Sequence, residues 1–109
     1  MIVDPESLNY LASNSNDKEI GAAVIGRLSA PQMLYELALN SSSGYIRQLA
    51  VLKLNDELLL SKLVLLSKDF HIRKAAVEKT SNVQVLSQAQ SDEQSEVRNA
   101  AKKRIEDTR

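Results

Sequence analysis

The stretch Ile72-Arg73-Lys74-Ala75-Ala76-Val77 decides how this chain reads, because it recurs. Ile46-Arg47-Gln48-Leu49-Ala50 stands 26 residues before it, Val97-Arg98-Asn99-Ala100-Ala101 stands 25 after it, and Ile20-Gly21-Ala22-Ala23-Val24 lies a further 26 toward the start. A β-branched residue opens each copy, and small or apolar residues follow three and four places on. Eight places on come Leu28, Leu54, Thr80 and Ile105, each preceded by a basic residue, Arg27, Lys53, Lys79 or Arg104. Offsets of three, four and eight fall on one side of an α-helix, since 3.6 residues per turn returns them to the same face.

A second apolar pattern follows in the same register: Met33-Leu34 with Leu37-Ala38, Leu59-Leu60 with Leu63-Val64, and Val85-Leu86 with Ala89. One period earlier it lands on Leu8 with Leu11-Ala12, so the chain opens on the second half of a repeat. Ser29, Asn55 and Ser81 stand at equivalent breaks and are good N-cap types, and Ser29 with Gln32, like Ser81 with Gln84, has capping-box spacing. Pro31 suits a first helical turn. The pattern predicts about eight helices, near 5–13, 17–28, 30–39, 44–54, 56–66, 70–80, 82–90 and 94–107. Neither stripe can be buried by one helix alone, so the expected fold is all-α. It is a right-handed α-solenoid, or superhelix, of short antiparallel helix pairs whose contacts are local. The expectation is a single repeat domain over 1–109: a half repeat at 5–13, repeats at 17–40, 43–66 and 69–90, and a terminal helix at 94–107. The leucine-dense helix from Leu58 to Leu66 is expected mid-array with both faces covered. The half repeat and the lone last helix imply exposed apolar ends, and with them a piece of a larger protein or complex.

The copies at Ile46, Ile72 and Val97 resemble the "V-R-x-A-A" signature of short HEAT-like repeats, the variety also found in phycobilin-lyase-type repeat proteins, over nearly the whole chain from Leu8 on. The resemblance implies a binding scaffold. It also implies a ladder of signature arginines, Arg47, Arg73 and Arg98, linking the turns of adjacent repeats, with Asp69 placed to join Arg73. Gly21 breaks that ladder in the first full copy.

Composition sets the outer limits. The 109 residues suit one domain, 43% hydrophobic and 26% charged residues suit a folded chain, and three Gly with two Pro leave few turns for a many-stranded sheet. Zero cysteines exclude disulfides, thiolate catalysis and cysteine-held metal. Fourteen basic residues balance fourteen acidic ones, so the total charge gives no attraction for nucleic acid or anionic lipid. No apolar run approaches the roughly 18 residues that span a bilayer, and no basic region precedes an apolar segment at the start. The expectation is therefore a cytoplasmic protein away from membranes.

No catalytic constellation emerges. Gly26 is followed by Arg27-Leu28 where a phosphate loop needs Lys and then Ser or Thr. His71 is the only histidine, too few for a histidine metal site, and is expected at the surface. The pairs Asp56-Glu57 and Asp92-Glu93 fall near helix starts, where the dipole favours negative charge. The chain is thus expected to be no enzyme and to need no cofactor or metal. In HEAT-like arrays the second helices line the concave side, which here offers Tyr10, Tyr35, Glu36, Lys62 and Gln88 as candidate partner-binding residues. The two tyrosines would be the anchors. The expected partner is another protein or another part of the parent chain. Two alternatives remain. Basic residues on the first helices allow a nucleic-acid-binding module, weighed against by interleaved Glu78, Glu96 and Glu106 and by 4% aromatic content. Repeat analogy alone allows an accessory lyase of the bilin-lyase type.

Overall fold

The structure, a computed structural model, describes the backbone of residues 18–108 and the side chains of residues 21–108; the helix expected at 5–13, and Tyr10 on it, lie outside the described residues. Every regular element among the described residues is helical: α1 Lys18–Arg27, α2 Pro31–Asn40, α3 Gly44–Lys53, α4 Glu57–Leu66, α5 Phe70–Lys79, α6 Val83–Ala89 and α7 Ser95–Asp107. Each end falls within one residue of the position the periodicity predicts. The chain divides into two compact units, Met1–Leu54 and Asn55–Arg109.

In the first unit, α3 packs on α1 and on α2. Leu34, Leu37 and Ala38 of α2 and Ile46, Ala50 and Val51 of α3 are buried at helical spacing. The approach of α1 to α3 requires a missing side chain: a Cβ on Gly21 would overlap Ile46 Cδ1. Gly21 stands at the register position held by Arg47, Arg73 and Arg98, so the departure from the repeat has a packing cause. In the second unit α5 packs on α4 and α7, and α6 packs on α7 and α4. Leu60, Leu63, Ile72, Val77, Leu86 and Val97 fill that core, each large side chain contributing about 1.5–3 kcal/mol on burial.

The caps stand one residue later than expected. Ala30, Asp56 and Asn82 are the N-caps of α2, α4 and α6, in place of Ser29, Asn55 and Ser81. Asp56 accepts from the Leu59 N–H, and Asn82 from those of Gln84 and Val85, while Ala30 offers no side-chain cap. The cause is tertiary. Leu28, Leu54 and Thr80 end the preceding helices and are drawn into the core, so the next residue must span the connection and the second one caps. Pro31, at the first helical position, compensates in part for the uncapped start.

The outer face of α7 also differs from expectation. Val97 and Ala101 are buried, but Ser95, Glu96, Asn99, Lys102, Lys103 and Glu106 are exposed. The helix presents a polar surface where an apolar end was expected, because Val97 and Ala101 lie on the packed side.

Candidate functional site

Three arginines repeat one local device. The fourth residue of α3, α5 and α7 reaches back across the preceding turn: Arg47 Nη1 donates to Ser41 O at 2.7 Å, Arg73 Nη1 to Ser67 O at 2.9 Å, and Arg98 Nη1 to Asp92 O at 2.7 Å. Ser41, Ser67 and Asp92 also accept, through their side chains, the N–H two residues on, at 3.2, 3.2 and 2.9 Å. A short polar side chain thus folds the turn and the arginine pins its carbonyl.

The carboxylate gripping Arg73 is that of Asp92, where Asp69 was expected. Arg73 Nε donates to Asp92 Oδ2 at 2.9 Å and Nη2 to Oδ1 at 3.2 Å, with Glu93 at 3.9 Å. Asp69 caps α5 by accepting from the His71 N–H at 2.9 Å. Burial pushes the Asp92 carboxyl up, but hydrogen bonds from Arg73 and the Gln94 N–H, aided by the charges of Arg73 and Arg98, outweigh it. The group titrates below the usual carboxylate range.

Other basic residues of the first helices close helix ends. Lys53 Nζ donates to Ile25 O at 2.9 Å and Gly26 O at 3.0 Å, and Arg104 Nε donates to Thr80 O at 2.9 Å. Cations satisfying terminal carbonyls are favoured by the helix dipole. Burial holds Lys79, in the register of Lys53, below the ordinary lysine range. Glu57 is likewise engaged. It accepts from the Thr80 hydroxyl at 2.7 Å and the Ser81 N–H at 3.1 Å, tying the start of α4 to the turn before α6.

The candidate partner-binding residues separate. Lys62 and Gln88 are exposed and Glu36 is half-buried. Tyr35, expected on the outward face, is only 8% exposed and belongs to the core. Ser61, in the same register, is buried too, and its hydroxyl accepts from Asn82 Nδ2 at 3.4 Å. The buried arc of α2 and α4 is wider than the i, i+3, i+4 stripe suggests; on α4 both α5 and α6 pack against that side.

The outward face of α4 carries leucines that sequence reasoning assigned to the core. Leu58, Leu65 and Leu66 are 66%, 54% and 59% exposed, so this helix is covered on one side only. Leu58, Lys62 and Leu65 form one exposed row. The signal was present: Leu58 and Leu65 fall outside the spacing that links Leu59, Leu60, Leu63 and Val64. Beside Leu58 a depression of about 430 Å³ is bounded by Glu57, Ser81 and Asn82. A second, of about 550 Å³, has Val64, Leu65, Gln88 and Ala89 among its walls.

Among the described residues no three His, Cys, Asp or Glu side chains are grouped to hold a metal, and no helix is long and apolar enough to cross a membrane. His71 is exposed at the start of α5, its ring 4.1 Å from that of Phe70. Comparison with known proteins finds no family model, no curated protein and no solved structure that matches this chain.

Proposed function

We propose that this chain is a non-enzymatic HEAT-like α-solenoid that binds a protein partner through a second-helix face, that of α4. Three things support the array reading: the 26- and 25-residue period, the turn clamp repeated by Arg47, Arg73 and Arg98, and the packing of α5 on α7 and of α4 on α6. A right-handed superhelix of antiparallel pairs is the arrangement that continues such neighbour-only packing. The observation that carries the binding reading is the exposure of Leu58, Leu65 and Leu66 on one helix. Exposed apolar clusters rimmed by polar residues mark interaction surfaces. The nucleic-acid alternative loses ground because Lys53 and Arg104 are committed to backbone carbonyls.

The test compares the wild-type chain with Leu58→Ser/Leu65→Ser as immobilised bait in extract of the native cell, after circular dichroism has established equal helicity. A partner retained by the wild type and lost by the variant is the expected result. Equal retention refutes the α4 face, and a salt-sensitive mobility shift of duplex DNA refutes the partner class.

A further inference from the structure

We infer that the open side of α7, along Arg98, Lys102 and Ile105, receives an acidic segment of a protein partner, with one carboxylate in the fork of Arg98 and a second against Lys102. This surface is separate from the α4 face and does not depend on it. The molecule itself supplies the pattern. Arg73 Nη1 donates to Ser67 O, and the fork left by its Nε and Nη2 is filled by both oxygens of Asp92, at 2.9 and 3.2 Å. Arg98 Nη1 makes the matching bond to Asp92 O. Among the described residues no acceptor fills its Nε and Nη2, and the residue is half-exposed. The charge of Arg98 helps hold the Asp92 carboxyl down, yet the guanidinium that both Asp92 oxygens bond is that of Arg73.

The 25-residue period carries Arg73, Val77 and Thr80 to Arg98, Lys102 and Ile105. The first three are buried, and α7 with its preceding turn reaches them at both ends, through Asp92 on Arg73 and through Arg104 Nε on Thr80 O. Their counterparts on α7 are half-exposed, exposed and half-buried in turn. Lys102 stands where Val77 does and pairs with no carboxylate among the described residues. The open side thus offers two cations four residues apart, about 6 Å along the axis. Arg73 shows that this fork takes a planar carboxylate. With Glu106 and Asp107 exposed on the same helix, the positive spot is too short for a phosphate backbone, whose binding needs a run of such contacts. A second copy related by a two-fold axis on this side would set like cations against each other.

The experiment pans a displayed library of random linear dodecapeptides against the full chain, then measures the selected peptides on Arg98→Lys, on Lys102→Glu and on Leu58→Ser/Leu65→Ser. The expected peptides carry two Asp or Glu, bind Lys102→Glu at least about tenfold more weakly, and are unaffected by the leucine changes. Arg98→Lys keeps the charge but not the fork and should weaken them several-fold; equal binding to it overturns the bidentate carboxylate. Selection repeated on Lys102→Glu should replace one acid by Lys or Arg. Acidic peptides indifferent to both cations, or lost on Leu58→Ser/Leu65→Ser, overturn the α7 surface without touching the reading of α4. An empty selection or peptides without acids overturns the partner chemistry. Duplex DNA or phosphatidylserine vesicles retained by the wild type and lost on Lys102→Glu, or self-association abolished by that change, overturns the acidic protein segment as the occupant.

Discussion

Replacing Arg73 with Met tests the repeated clamp at a place where a carboxylate, that of Asp92, reinforces it. The guanidinium is buried, makes two bonds to Asp92 and one to Ser67 O, and its side chain is 10% exposed against 11% for that of Asp92. Methionine leaves the carboxylate and the carbonyl without this donor. Breaking one partner of a buried pair costs about 3–5 kcal/mol, and residual contact of Asp92 with water places the expected loss near 3. Arg98→Met removes the bond to Asp92 O from a half-exposed side chain, worth about 1 kcal/mol. A chain of this size holds about 5–15 kcal/mol in total. With a urea slope near 1.5 kcal/mol/M the midpoint should fall by about 2 M for Arg73→Met and by less than about 1 M for Arg98→Met. Urea titration followed at 222 nm reads both. Asp92→Asn combined with Arg73→Met should show a coupling of at least about 1 kcal/mol. Equal midpoints for the two arginine variants, or no coupling, would refute the account of Arg73 as a buried hub.

Leu63→Ala should cost about 2–5 kcal/mol because the side chain is fully buried, while Leu65→Ala, on the exposed face, should stay within about 0.5 kcal/mol; similar urea midpoints would contradict the assigned faces. The folded-state pKa of Asp92 is depressed, so its contribution is complete above the unfolded value near 3.9 and disappears as pH falls through the folded one. Urea midpoints measured from pH 6 down to pH 2.5 should show an acid-side loss that Asp92→Asn lacks. Gly21→Ala should destabilise by about 1–3 kcal/mol through overlap with buried Ile46. Ile46→Val removes the overlapping Cδ1 and should recover part of that loss, so strict additivity of the two changes would discount the contact.

The Ser41-x5-Arg47, Ser67-x5-Arg73 and Asp92-x5-Arg98 spacings were all in the sequence, and a search at the repeat period would have found the turn clamp. The partner of Arg73 was harder to read. Asp69 and Asp92 both lie within reach along the chain, and the choice depends on how the turn after α6 is placed. Ser29, Asn55 and Ser81 misled for a related reason. Capping preference identifies a residue type, but the burial of Leu28, Leu54 and Thr80 fixes which of two adjacent residues begins the helix.

Helix type, helix length and repeat register followed from local periodicity, because an apolar stripe at 3.6 residues per turn records which backbone angles let one face be buried. Which remaining faces are covered was decided by the fold. Tyr35 is enclosed while Leu58 and Leu65 face outward, an outcome reversed from what residue type alone favours. A side chain's hydrophobicity sets what it gains from cover, whereas the placement of neighbouring helices decides whether cover is there.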